Sequence, residues 1–193
     1  QAYQLQVKGL RGGHSGCNIH EDRGNANKLL ARLLLTLSQQ LPLRLSHIEG
    51  GTLRNAIPRE AQALLLVPAD QGAELATRLE QHAALLRQEL SEVDSNLQIL
   101  LQDAAQPATC LDSDTQSRLL AALVACPNGV IRMSQAIAGV VETSTNLGVI
   151  KTEGEQVFVQ CLIRSLNDEG RRYVERLTHS LFPLAGPGGG LGA

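Results

Sequence analysis

The order of apolar patterns along the first half of the chain constrains the fold more than any other feature. Tyr3, Leu5 and Val7 alternate with polar residues, which predicts a strand with one buried face. After a glycine-rich loop, leucines at helical spacing between positions 29 and 37 predict a helix that ends before Pro42. Strand patterns at 43–49 and 61–67, a leucine stripe at 75–90 and a strand pattern at 96–101 complete the series.

This order of strand, helix, strand, strand, helix and strand is that of the split β-α-β-β-α-β unit. In this ferredoxin-like arrangement two helices lie on one face of an antiparallel sheet. The second half repeats the pattern, since TLRN at 52–55 recurs as TSTN at 143–146, and DQG at 70–72 recurs as DEG at 168–170. We therefore predict an α+β fold of two tandem ferredoxin-like halves, about 1–95 and 96–185, with antiparallel sheets and helices on one face.

Two acidic residues stand where helices are expected to begin. Asp70 precedes the leucine stripe of the first half, and Asp112, followed by Ser113, precedes an apolar face at 119–124. Side chains of these types accept hydrogen bonds from the free N–H groups of a first helical turn. We expect a helix to begin at Asp70 and another at Asp112 or Ser113.

The two ends of the chain suggest a piece of a longer or processed protein. The chain begins on Gln1, already within a strand pattern, and it ends on the glycine-rich GPGGGLGA. We expect one domain over residues 1–185, followed by a flexible tail over residues 186–193.

Composition argues against several kinds of partner. The 17 basic and 19 acidic residues are spread without long runs and only 2% of residues are aromatic, so neither nucleic acid nor a membrane surface is expected as a partner. The apolar runs are far shorter than the roughly 20 residues of a membrane span. Four widely spaced cysteines lack zinc-site spacing and indicate free thiols in a reducing, cytoplasmic setting.

The stretch GLRGGHSG presents His14 among glycines that permit unusual backbone angles and close approach. One interpretation is an imidazole that stabilises a developing oxyanion, and the other is a surface turn with an incidental histidine. His20 belongs to a His-x-Asp pattern that can mark metal ligands, but it lies in a polar loop and is interpreted as structural. The remaining histidines are also interpreted as structural: His47, His82 and His179.

Asn55 and Arg164 are candidate ligands of a carboxylate. Asn55 stands in a glycine-rich corner near Arg54 and Arg59, and an amide and a guanidinium can hold a carboxylate together. Arg164 ends the apolar strand pattern VFVQCLIR, where it is either a salt-bridged rim residue or a substrate clamp. No serine or cysteine nucleophile with a recognisable base stands out, and neither does a pair of carboxylates. The sequence offers binding groups without a catalytic centre.

Five motifs carry a resemblance to a known family. They are KGLRGGHSGCNIHEDRGNANKLLARLL, GGTLRNAIPRE, PNGVIRMS, VETSTNLGV and CLIRSLNDEG. In this order they resemble the bacterial aminoacyl-histidine dipeptidases, which are cytosolic, carnosinase-type exopeptidases with two zinc ions. The likeness runs over residues 3–185 and covers one of the two domains of such enzymes, the lid and dimerisation domain.

The resemblance implies roles for the candidate residues. His14 would stabilise the oxyanion, in its own subunit or in a partner subunit, and Asn55 and Arg164 would hold the C-terminal carboxylate of an Xaa-His dipeptide. Two zinc ions would lie in the catalytic domain and none in this chain, which we expect to be inactive by itself. The implied partners are that catalytic domain, a second copy in a homodimer and the dipeptide.

Two alternatives remain from the residues. One is an independent protein–protein interaction and dimerisation module that pairs through its sheet edges and has no catalytic role. The other is a standalone hydrolase that uses His14.

Overall fold

The computed structural model describes residues 1–186, so the predicted tail lies outside the described residues apart from Gly186. The strands are β1 (Ala2–Lys8), β2 (Gly13–His14), β3 (Arg44–Gly50), β4 (Ala56–Ile57), β5 (Ala61–Leu66), β6 (Gln98–Asp103), β7 (Gly129–Met133), β8 (Val141–Glu153) and β9 (Gln156–Ser165). The helices are α1 (Ala26–Gln40), α2 (Gly72–Glu89), α3 (Ser113–Ala125) and α4 (Asp168–Leu181). Short 3₁₀ turns occur at Ile19–Glu21, Ala69–Gln71 and Phe182–Ala185.

Seven strands form one antiparallel sheet in the order β6-β1-β5-β3-β8-β7, and β9 pairs with β8 as well. The first four of these strands and the helices α1 and α2 make a complete ferredoxin-like unit. The predicted α+β fold with antiparallel pairing is confirmed. The short strands β2 and β4 pair with each other and form a separate two-stranded ladder.

The second half joins the sheet of the first half. Glu49 and Gly50 of β3 pair with Lys151 and Ile150 of β8, which makes the sheet continuous. The second half contains the order α3, β7, β8, β9 and α4, which is shorter than the full repeat that the motifs predict. The reason is that β6, the strand before α3, pairs with β1 and completes the first unit, while α4 is followed by the turn Phe182–Ala185.

The leucine stripes of the helices form the core beneath the sheet. Leu30, Leu34 and Leu37 of α1 are fully buried, and Leu75 of α2 and Leu120 of α3 are fully buried as well. Burying one leucine side chain stabilises the fold by about 1.5–3 kcal/mol, so this helical layer holds the sheet and its loops firmly. The predicted helical faces are therefore the buried faces.

One of the two predicted helix starts is confirmed and the other differs. The Asp112 carboxylate accepts a hydrogen bond from the N–H of Thr115 at 2.9 Å and caps α3 as expected. Asp70 instead lies in the 3₁₀ turn before α2, which begins two residues later without a side-chain cap. The N–H of Gln71 donates to the carbonyl of Pro68 at 2.9 Å, so the residues after Pro68 form a 3₁₀ turn and α2 starts only after it.

Candidate functional site

The loop that carries His14 is fixed by a short backbone ladder. His14 in β2 pairs with Ala56 in β4, and the N–H of Ser15 donates to the carbonyl of Asn55 at 2.9 Å. Gly12 and Gly13 have φ of +61° and +145°, a region that favours glycine. A Cβ at Gly13 would also lie 2.7 Å from the Asn18 side chain, so the loop can pack in this way only with glycine there.

A chain of polar contacts braces this loop from beneath. The Asn18 side chain accepts from the N–H of His14 at 3.0 Å and donates to the carboxylate of Glu21 at 2.6 Å. Glu21 also forms an ion pair with Arg23, whose guanidinium donates to the carbonyl of Gly12. The hydrogen bond from Asn18, together with Arg23, lowers the pKa of Glu21 below its ordinary value, so this brace is charged at neutral pH.

The imidazole of His14 is exposed with a defined hydrogen-bonding role. Its Nδ1 accepts a hydrogen bond from the N–H of Gly16 at 3.1 Å. A neutral imidazole that accepts at Nδ1 carries its proton on Nε2. His14 therefore offers Nε2–H as a donor, which suits an oxyanion ligand.

Arg164 lies beside His14, although the two residues are far apart in sequence. A Cβ at Gly16 would be 3.0 Å from Cε1 of His14 and 3.2 Å from Cζ of Arg164, so both side chains flank this glycine. Arg164 is exposed near the end of β9, opposite Ser144 of β8. Within residues 1–186 the guanidinium of Arg164 forms no ion pair.

Asn55 belongs to the same surface through its backbone. Its carbonyl accepts from Ser15, next to His14, and its side chain is exposed. The amide of Asn146 in β8 donates to the carbonyls on both sides of it, to Arg54 at 2.9 Å and to Ala56 at 2.8 Å. The structure thus brings the loop of His14, the segment of Asn55 and the guanidinium of Arg164 together.

A buried asparagine network behind this surface was missed by the sequence reasoning. The amide of Asn25 donates to Asn146, to Asn128 and to the carbonyl of Leu147. Asn146 is only 1% exposed, as expected for a side chain whose hydrogen bonds are made inside the protein. The available signal was TSTN, a polar run inside a strand with apolar residues on both sides.

The other singled-out residues lie elsewhere or serve locally. His20 is exposed in the 3₁₀ turn after the His14 loop, His47 lies 3.2 Å from Glu49, and His82 contacts Gln40. Residues 1–186 contain no group of three or more histidine, cysteine or acidic side chains that could hold a metal ion. The two implied zinc ions therefore do not fit the part of the chain that is described. In the same range, none of the helices has the length and apolar character needed to cross a membrane.

Comparisons with known proteins identify the family that part of this chain matches. Residues 5–94 match the sequence family described as peptidase dimerisation domain. Residues 5–94 carry a peptidase dimerisation domain. This chain is 46% identical over 186 residues to the cytosol non-specific dipeptidase of Escherichia coli. The alignment covers 96% of this chain and 38% of that protein.

A solved structure is similar to this chain over nearly its whole length. The crystal structure of aminoacylhistidine dipeptidase from Vibrio alginolyticus matches with a TM-score of 0.93 and 49% identity, over 95% of this chain and 38% of that one. The chain thus spans 38% of the length of both relatives. The resemblance carried by the five motifs is confirmed at the level of the domain.

Proposed function

We propose that this dimerisation domain is the lid of a cytosolic zinc dipeptidase and supplies contacts to the substrate. The observation that carries the proposal is that His14 and Arg164 flank Gly16, next to the Asn55 segment. An imidazole donor beside a guanidinium that has no acidic partner within residues 1–186 suits a substrate with one developing and one fixed negative charge. A dipeptide has both during hydrolysis, at the scissile carbonyl oxygen and at the C-terminal carboxylate.

His14 would stabilise the carbonyl oxygen as it becomes negative. Its Nε2–H is left free because Nδ1 is occupied by the N–H of Gly16. The contact grows stronger as charge develops on the oxygen, so it lowers the barrier more than it strengthens binding. The active site completed in this way would be that of the same subunit or of a partner subunit.

Asn55 and Arg164 would hold the C-terminal carboxylate. A guanidinium can donate two parallel hydrogen bonds to a carboxylate, and an amide can add a third. Arg164 is available for this because no ion pair within residues 1–186 involves it. A carboxylate held there defines the C-terminal end of the substrate, so the scissile bond is the one before the C-terminal residue, which we propose to be histidine.

The metal ions and the general base would come from another domain of the enzyme. We propose that a catalytic domain holds the two zinc ions and the general base, while this domain binds and orients the dipeptide. The family description and the outer edge of β9, whose one strand partner among residues 1–186 is β8, support a homodimer. The cytosolic relative supports a cytoplasmic location.

A chimera tests the role of His14. Residues 1–186 would replace the matching segment of the Escherichia coli dipeptidase, to which the chain is 46% identical. His14→Ala should lower kcat about 10²-fold with little change in KM, as expected for a lost oxyanion donor. His20→Ala, which removes an exposed histidine of the same loop region, is the matched control and should leave kcat unchanged. A normal kcat in His14→Ala would remove His14 from the mechanism.

The same chimera tests the carboxylate ligands. Asn55→Ala and Arg164→Ala should each raise KM, whereas Arg118→Ala, at an exposed arginine of α3, should not. If neither KM nor kcat changes, Arg164 is a rim residue.

The isolated chain should show no peptidase activity, and stoichiometric zinc together with hydrolysis would favour the standalone hydrolase. Homodimers combined with unaffected kinetics in every site variant would favour the interaction module.

A further inference from the structure

We propose that Asn146 is a positioning residue that fixes Asn55 in place for substrate binding. This inference rests on the proposed carboxylate site. Asn146 lies in β8, is 1% exposed and cannot touch the substrate from there. Its action would be through the backbone of residues 54–56.

The two hydrogens of the Asn146 amide hold the carbonyls that flank Asn55. They donate to Arg54 at 2.9 Å and to Ala56 at 2.8 Å, and thereby restrain the Arg54–Asn55 and Ala56–Ile57 peptide units. Ala56 is also the partner of His14 in the short ladder, and the carbonyl of Asn55 accepts from Ser15. A shift of residues 54–56 would therefore move both the carboxylate ligand and the oxyanion donor.

The orientation of the Asn146 amide is fixed by its other contact. Its Oδ1 accepts from the side chain of Asn25 at 3.3 Å, so the NH₂ group must face the two carbonyls. Asn25 in turn begins α1, because its own oxygen accepts from the N–H of Lys28. The substrate-binding segment is thus connected to the rigid helical layer by two asparagine side chains.

Gly148 restrains the same segment by close packing. A Cβ at this position would lie 2.6 Å from Cα and 2.8 Å from the carbonyl oxygen of Arg54. Both contacts are to backbone, which cannot yield as a flexible side chain would. Two neighbouring positions of β8 therefore fix residues 54–56, one by hydrogen bonds and the other by leaving room.

The test compares hydrolysis of a dipeptide with that of its C-terminal amide by the chimera. A carboxylate site gives the acid a higher kcat/KM than the amide, and this ratio measures the site separately from overall folding. Asn146→Ala and Gly148→Ala should each lower the acid-to-amide ratio about tenfold, mainly by raising KM for the acid. Gly148→Ala keeps every buried hydrogen-bonding group, so it tests the same displacement without a lost polar contact.

Asn128→Ala is the matched control within the network. Its side chain accepts from Asn25 at 3.0 Å and from the N–H of Leu147 at 2.9 Å, and it bonds neither carbonyl that flanks Asn55. It should lower the melting temperature and leave the acid-to-amide ratio within twofold of the parent chimera. Kinetics are measured below the melting temperature of every variant, followed by circular dichroism.

The outcomes separate this inference from the proposed function. If Asn55→Ala and Arg164→Ala leave the ratio unchanged, the carboxylate site itself is wrong. If those two variants lower the ratio while folded Asn146→Ala and Gly148→Ala do not, only the positioning role is overturned. An equal fall of the ratio in Asn128→Ala would also overturn it, since the effect would then be one of general stability.

Discussion

Asn25 offers the sharpest test of how the buried asparagine network stabilises the fold. Its Oδ1 caps α1 by accepting from the N–H of Lys28 at 3.2 Å, and its amide donates to Asn146, Asn128 and the carbonyl of Leu147. Asn167 caps α4 in the same way, accepting from the N–H of Gly170 at 2.7 Å, but it is exposed. The two asparagines therefore share the cap, and only Asn25 adds the network.

The magnitudes follow from the groups left behind. Asn167→Ala removes a cap and should lower the free energy of unfolding by about 1 kcal/mol. Asn25→Ala removes a cap and also leaves the buried Oδ1 of Asn146 without its donor, which costs a further 1–3 kcal/mol or so. We expect a total of about 2–4 kcal/mol, and about 2–4 °C of melting temperature for each kcal/mol in a chain of this size.

Substitution by aspartate separates the two contributions. Asn167→Asp keeps the cap acceptor and adds a negative charge at a helix N-terminus, so its stability should equal or exceed that of the parent chain. Asn25→Asp keeps the cap as well, but it places a carboxylate oxygen against three acceptors in a buried site and should destabilise at least as much as Asn25→Ala. Urea unfolding of the 193-residue chain, followed by circular dichroism, measures both. Equal stability of the two aspartate variants would refute the reasoning.

Two further predictions concern thiols and acid. Ellman's reagent should modify two of the four thiols quickly, the exposed Cys17 and Cys110, because Cys126 is buried and the pKa of Cys161 is raised by its contact with Cys126 and by burial. Serine at both exposed positions should abolish the fast phase, and a persisting fast phase would contradict the burial. The Glu21 carboxyl should titrate by NMR below its ordinary 4.5, and Arg23→Gln should raise that midpoint. Because the folded pKa is lowered, Glu21 stabilises the His14 loop above the unfolded pKa and loses this effect as pH falls through the folded pKa. An unchanged midpoint in Arg23→Gln would show that the contact with Arg23 does not lower the pKa of Glu21.

The amino-acid sequence determined the local structure and the first half of the fold. One face of each strand and helix is buried, and apolar residues recur at the spacing of that face. This spacing can be read from neighbouring residues, as in the alternation at Tyr3, Leu5 and Val7 and in the leucine stripes of α1 and α2. The order of these elements then leaves few ways to cover one face of an antiparallel sheet. Asp112 could be recognised as a cap because a cap is a contact between residues three positions apart.

Only the tertiary structure decided how the halves join and what lies around Gly16. The pairing of β3 with β8 rests on backbone hydrogen bonds, which any residue but proline can make, so no side-chain pattern specifies it. In the sequence, Asn146 belongs to the TSTN motif, which the repeat relates to TLRN. Its hydrogen bonds to the carbonyls of Arg54 and Ala56 form because β8 passes beneath residues 54–56. His14 and Arg164 lie side by side for the same reason, because the sheet fixes β9 beside the loop of β2. The number of residues between two positions does not determine their distance in the folded chain.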